Sequence, residues 1–243
     1  WFITLPLNAE PLTVAAAADL KFAMEEIATA YRTANPSDTL TIIYGSSGKF
    51  ATQIRQGAPF DIYFSADISY PQALEKEGFA GSAVTRYARG RIVLWSASVD
   101  AQTLTLKDLP QSRFKRIAIA NPKHAPYGRR AEEALRNAGV WERIASRLVY
   151  GENIAQTAQF VMSGNAQIGV IALSLALSPE YAKQHYYLIP DTMHEPLDQG
   201  FLITRRAVSN TAARRFAQYM NTQAVRTILN RYGFLLPEPT SAR

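Results

Sequence analysis

Ser46 and Ser47 sit in a glycine-bounded turn, Gly45-Ser46-Ser47-Gly48, where a β-branched run gives way to helical spacing. Two other segments have the same character. Ala17-Ala18-Asp19 and Ser65-Ala66-Asp67 each leave an apolar run through small, hydroxyl or short acidic residues and enter a helix-like pattern. Ala125-Pro126-Tyr127-Gly128 and Glu152-Asn153-Ile154 read as further helix openings. The first turn of a helix carries N–H groups with no acceptor inside the helix, and a partial positive charge. Several such turns aimed at one point hold an anion without lysine or arginine. Small residues let the backbone approach closely, and serine hydroxyls add donors that rotate to suit the ligand. Any one of these segments is also an ordinary cap; only their convergence would make a site.

Other chemistries find little support. The chain has no cysteine, which removes disulfides, thiolate metal sites and cysteine nucleophiles. His124, His185 and His194 are far apart and in no metal-ligand spacing, and His124 lies beside the Tyr127 segment. There is no nucleophile elbow, P-loop or dinucleotide glycine pattern. Asp61, Asp67 and Glu195 are scattered carboxylates. We therefore expect no catalytic residue, no cofactor and no site for a free metal cation. The net charge is +6, but the arginine pairs 129–130, 205–206 and 214–215 are isolated, so no nucleic-acid footprint is expected.

The elements that must position these residues follow from hydrophobic spacing. Apolar or β-branched runs at 12–17, 39–44, 61–64, 91–95, 116–120, 148–150, 167–172, 186–190 and 201–204 read as strands. Helical spacing follows at Leu20, Ala23, Met24, Ile27 and Tyr31, after Ser47, after Asp67, over Ala131–Ala138, over Asn153–Met162, and near Thr211–Met220 and Gln223–Arg231. Asp19 fits the N-cap of the first helix, and Gly139 a helix stop. Repeated strand–helix units argue for mostly parallel sheets covered by helices. With 243 residues and 47% hydrophobic composition, the chain can form one domain or two compact lobes.

In order along the chain stand Val14-Ala15-Ala16-Ala17-Ala18-Asp19-Leu20, Gly45-Ser46-Ser47-Gly48, Gly57-Ala58-Pro59 with Phe64-Ser65-Ala66-Asp67, Asn121-Pro122 with Ala125-Pro126-Tyr127-Gly128, and Arg231-Tyr232-Gly233-Phe234. This series resembles periplasmic molybdate-binding proteins of the ModA type, from about Leu12 to Pro237. The resemblance implies a two-lobed α/β type II periplasmic binding fold with the ligand in the cleft between lobes. It implies the substrate-binding component of an ABC importer, which captures molybdate or tungstate and passes it to membrane permease subunits. Ser47 looks like the hydroxyl donor of the second loop. Tyr127 and Ile154 fall where main-chain N–H groups are offered, Ala66 lines the third loop, and Ser46 is adjacent to the donor.

Asp19 departs from the pattern, which has Ser, Thr or Asn there. A carboxylate facing a dianion would be repelled by ~4 kcal/mol per unit charge pair at 4 Å and an effective dielectric of 20. On that ground Asp19 is expected to turn away, cap its helix and offer only its N–H. A different tetrahedral oxyanion (phosphate, sulfate or chromate) is the alternative ligand; phosphate can carry a proton, and Asp19 is the one residue near the expected site that could accept it. An enzyme or a regulator's sensing domain is less in keeping with the sequence, which shows no DNA-binding helix-turn-helix.

The expected organisation is a signal-peptide remnant at 1–9, a discontinuous first lobe of 10–86 plus 196–243, and a second lobe of 87–195. Trp1 to Ala9 is apolar, too short to span a membrane, and ends at a small residue before a polar break. A monomeric periplasmic protein is expected.

Overall fold

In a computed structural model the described residues are 11–238, so the expected signal-peptide remnant at 1–9 lies outside them. The chain opens with β1 (Pro11–Ala17), α1 (Lys21–Ala34), β2 (Thr39–Gly45), α2 (Ser47–Arg55), β3 (Ile62–Ser65), α3 (Ser69–Lys76) and β4 (Thr85–Gly90). It continues with β5 (Ile92–Trp95), β6 (Ile117–Ala120), α4 (Pro126–Asn137), α5 (Trp141–Ile144), β7 (Leu148–Gly151), α6 (Ile154–Met162), β8 (Ile168–Ala172), α7 (Leu173–Ala176) and β9 (Tyr186–Leu188). It then returns through β10 (Leu197–Ile203), α8 (Thr211–Tyr219) and α9 (Gln223–Arg231).

Two five-stranded sheets result, ordered β2-β1-β3-β10-β4 and β7-β6-β8-β5-β9. In the first, β2, β1 and β3 are parallel and β10 runs against both β3 and β4. In the second, β7, β6 and β8 are parallel and β5 runs against both β8 and β9. Each sheet thus has one reversed strand, and its parallel strands end on the same side. Crevices beyond those carboxyl ends are where α/β sheets bind ligands.

The core explains the elements. β1 lies between β2 and β3, so Val14 to Ala17 are buried almost without alternation, as central parallel strands require. α1 buries Ala23, Met24, Ile27, Ala28 and Tyr31 on one face. Phe64 stacks on Phe201 at 4.7 Å between ring centres in the first lobe, and Trp95 meets Tyr181 edge-on at 5.3 Å in the second. α4 opens on Pro126, whose missing N–H costs nothing at that position, and the chain turns away at Gly139 with φ +71°.

Three expectations need correction. Asp19 caps no helix: Ala18–Leu20 form a 3-10 turn after Ala17, and α1 starts at Lys21 without a side-chain cap. β4 is a strand that apolar patterning did not reveal, because Arg86 and Arg89 interrupt it; both pair with Asp198 on β10, at 2.6 and 2.7 Å. β10 begins at Leu197, upstream of the expected Phe201, and its polar start contains the buried Gln199.

β4 and β10 are also where the chain passes between sheets. β4 pairs with β10 as far as Gly90, opposite Leu197, and β5 begins at Ile92. On its other edge β4 is bridged by the C-terminal segment, with Arg89 and Leu235 exchanging N–H to carbonyl bonds at 2.7 and 3.0 Å. Arg91 donates to the Gly233 carbonyl at 3.0 Å, and Gly233 itself turns at φ +79°. The Arg231–Phe234 motif is therefore the turn that seats the chain's end against the crossing.

Candidate functional site

The carboxyl ends of β1, β2 and β3 face those of β6 and β7, and one small cavity lies between them. Asp19, Ser46, Ser47, Ala66, Tyr127 and Ile154, all six candidates, line it. No lysine, arginine or histidine is among the lining residues.

Ser47, the first residue of α2, is 1% exposed. Its Oγ accepts the main-chain N–H of Ala66 at 3.0 Å, and its carbonyl accepts the Tyr63 hydroxyl at 2.7 Å. A hydroxyl whose lone pair is occupied keeps its own proton to give, so Ser47 is posed as a donor. This bond also fixes the role of Ala66, whose N–H holds Ser47.

Ser46 faces the other lobe. Its Oγ lies 2.5 Å from the His124 carbonyl, to which it donates, and 2.9 Å from His124 Nδ1. The Gly48 N–H reaches the same carbonyl at 3.0 Å. His124 is held below its ordinary pKa by burial and then by the Lys49 charge. Lys49 pairs with Glu152, and Arg129 with Asp67 at 3.5 Å and with the Tyr70 hydroxyl at 2.6 Å. These bonds join the lobes across the cleft, so the conformation is closed.

Tyr127 and Ile154 lie in the first turns of α4 and α6, where main-chain N–H groups lack an intrahelical acceptor. Asn153 caps α6 by accepting the Gln156 N–H at 3.0 Å, so the N–H of Ile154, a residue lining the cavity, is not committed to that cap.

Asp19 contributes more than its backbone. Its carboxyl is buried, and Oδ2 accepts the Tyr127 hydroxyl at 2.9 Å and Gln199 Nε2 at 2.7 Å. Gln199 Nε2 also reaches the Tyr127 oxygen at 3.2 Å, and Gln199 Oε1 accepts the Tyr87 hydroxyl at 2.6 Å. Two donors fixed in place hold the carboxyl more firmly than a mobile cap would, which is why the expected capping role fails. Oδ1 is buried with no hydrogen-bond partner. Burial raises the carboxyl's pKa from 3.8 to about 6, against the opposing pull of Gln199, Tyr127 and the neighbouring main-chain N–H groups. Burial likewise lifts the Tyr127 and Tyr87 hydroxyls well above 10.0, so both stay protonated donors.

Sequence reasoning missed Gln199, Tyr87 and Ser174. Ser174, at the start of α7, donates to the Asp19 carbonyl at 2.7 Å. None carries a local signal: each is a polar residue within a strand or short helix, and only the fold brings it to Asp19. Gly90 offered a weak signal. A Cβ there would stand 2.1 Å from the Tyr127 hydroxyl oxygen.

The other candidates for chemistry disperse. Asp61 pairs with Arg206 at 2.7 Å, and Asp67 with Arg129 rather than with another carboxylate. Among the described residues no cluster of histidine and carboxylate could hold a metal ion, and no helix is long and apolar enough to cross a membrane.

Comparison with known proteins bears on the same region. The profile of the family "Bacterial extracellular solute-binding protein" matches residues 12–235. The molybdate-binding protein ModA of Rhodobacter capsulatus is 34% identical over 238 residues, covering 96% of this chain and 91% of its own. ModA of Azotobacter vinelandii is 37% identical over 233 residues, covering 93% and 90%. A solved structure of the Azotobacter vinelandii periplasmic molybdate-binding protein superposes with a TM-score of 0.85 at 29% identity, covering 93% of this chain and 100% of that one.

Proposed function

Because the chain belongs to the bacterial extracellular solute-binding proteins, among their ModA-type members, we propose that it captures molybdate or tungstate for an ABC importer. The observation that carries the reading is the meeting, at one cavity free of cationic side chains, of a posed serine hydroxyl and first helical turns from both lobes. A dianion there is stabilised by fixed dipoles instead of a counter-charge.

The anion docks first on the first-lobe loops. The Ser47 hydroxyl, supported by the Ala66 N–H, donates to one oxygen. The lobes then close by bending where β4 and β10 leave the first sheet, near Gly90 and Leu197. Closure brings the Tyr127 and Ile154 N–H groups to the remaining oxygens, and the bonds from Ser46 and Gly48 to His124 lock the cleft. The ligand selects the closed state because only that state offers it both sets of donors.

The closed protein, acting as a monomer in the periplasm, presents the surfaces flanking the cleft to the membrane permease subunits. The reading assigns no catalytic step, no cofactor and no nucleic-acid partner. We take residues 10–86 with 196–243, and 87–195, as the lobes that move, apart from Tyr87 to Gly90, which stay in the first sheet with β4.

Titration calorimetry with molybdate, tungstate, sulfate and phosphate tests the ligand. Tight binding of molybdate or tungstate with weak binding of the others is expected; tight phosphate binding with no molybdate response refutes it.

A further inference from the structure

Resting on the reading above, we propose that the Asp19 carboxyl is protonated when the anion is bound, and that Oδ1–H donates a hydrogen bond to an anion oxygen. The geometry leaves little choice about the position of the proton. Oδ2 already accepts from two donors, Tyr127 Oη at 2.9 Å and Gln199 Nε2 at 2.7 Å. Neither donor can accept a proton from Oδ2 without giving up a buried hydrogen bond of its own. The Tyr127 hydroxyl already accepts Gln199 Nε2 at 3.2 Å, and turning to accept from Oδ2 as well would leave its own buried proton without Asp19 Oδ2, its acceptor; Gln199 Oε1 is occupied by the Tyr87 hydroxyl at 2.6 Å. A proton on this carboxyl therefore sits on Oδ1, the oxygen that is buried without a partner in a residue lining the cavity.

The alternative, an ionised carboxylate against a dianion, places like charges together in a site with no cation among its lining residues. Burial, even against the opposing pull of Gln199, Tyr127 and the neighbouring main-chain N–H groups, already lifts this carboxyl to about 6, and an adjacent dianion lifts it further. The titratable groups that face it are the phenols of Tyr127 on α4 and Tyr87 on β4. Ser174 at the start of α7 meets only its carbonyl. Lys21, in the turn after Asp19, holds its ammonium over the Phe22 ring at 5.1 Å, and the His124, Lys49 and Glu152 group stands at the Ser46 side of the cleft. The proton comes from solvent: carboxylate, proton and dianion combine to give a neutral acid hydrogen-bonded to the bound anion. Asp19 then discriminates by charge. It favours a fully deprotonated anion, which can only accept, over one whose own proton would have to meet Oδ1–H.

The test is calorimetry of molybdate binding to the full chain, in buffers of differing ionisation enthalpy, between roughly pH 6.5 and pH 8.5. We expect close to one proton taken up per anion at the upper end, with Kd weakening by up to about tenfold per pH unit. In Asp19→Asn, uptake should vanish and the Kd should become flat with pH, because the amide donates without titrating. Tight molybdate binding with no proton uptake by the unmodified protein overturns the inference and leaves the ligand assignment intact. So does an uptake that persists in Asp19→Asn, which would assign the proton to His124. Phosphate binding more tightly than molybdate, with no uptake, would make Asp19 an acceptor and overturn both. Absence of any oxyanion binding overturns the ligand reading and the inference together.

Discussion

The Tyr127 hydroxyl oxygen occupies the space in which a side chain on Gly90 would begin: a Cβ there would lie 2.1 Å from it, and 2.6 Å from Gln199 Nε2. The last residue of β4 is thus fitted to the network that holds Asp19 across the cleft. Gly90→Ala must move the Tyr127 ring or the Gln199 amide, and both are buried. We expect a loss of about 1–3 kcal/mol in stability, typical of overpacking, read from chemical denaturation. Ligand affinity should fall as well, because the closed state is the one with the clash.

Ser47→Ala removes the posed hydroxyl and leaves the Ala66 N–H without its acceptor. The loss should be ~1.5–3 kcal/mol in anion binding, a Kd roughly ten to a hundred and fifty times weaker by calorimetry. The melting-temperature rise on adding molybdate should shrink in step, since that rise follows RT ln(1 + [L]/Kd).

Gly48→Ala probes closure separately from ligand contact. A Cβ on Gly48 would meet the His124 carbonyl at 2.7 Å and the Tyr70 hydroxyl at 2.8 Å, both across or beside the cleft. Opening relieves the His124 contact, which crosses between the lobes, whereas Tyr70 stands on α3 of the same lobe and its hydroxyl end must give in either state. Small-angle scattering should show a smaller ligand-induced compaction than in the unmodified protein, with affinity weakened by more than the modest stability loss that the Tyr70 contact causes in the ligand-free chain.

Asp19→Asn should change stability in a pH-dependent way even without ligand. The folded-state pKa, about 6, lies above the ordinary 3.8, so the folded protein holds this proton more tightly than the unfolded chain. Both states are protonated below about pH 4, and the penalty is absent there. As pH rises through about 6 the folded state must carry a buried charge, losing roughly 3 kcal/mol in all at ~1.4 kcal/mol per unit. Thermal melts of Asp19→Asn should therefore exceed those of the unmodified protein at about pH 8, and the gap should close toward about pH 4.

The sequence made the parallel half of each sheet readable, because β1, β3, β6 and β8 are central strands whose buried residues are almost all apolar. The loops at their ends, with Ser46, Ser47, Ala66, Tyr127 and Ile154, were legible through helix-start chemistry and family resemblance, and all five line the cavity. β4 was not legible, because Arg86 and Arg89 break its apolar pattern and its partner strand β10, with Asp198, lies more than a hundred residues away. Asp19 was misread for the same reason. Local rules offer a short acid at a helix start a capping role, while its partners Tyr127 and Gln199 lie 108 and 180 positions away. Gln199 itself is an amide in a strand whose polar start hides its burial.

The two sheets differ in how much chain each needs. The second is built from consecutive strands between Ile92 and Leu188, whereas the first inserts β10 between β3 and β4, and β4 is bridged on its other edge by Leu235. During synthesis the second lobe therefore has all its strands while the first still exposes the edge of β3. The first lobe cannot cover the edge of β3 until β10 is in place, nor the outer edge of β4 until Leu235 is.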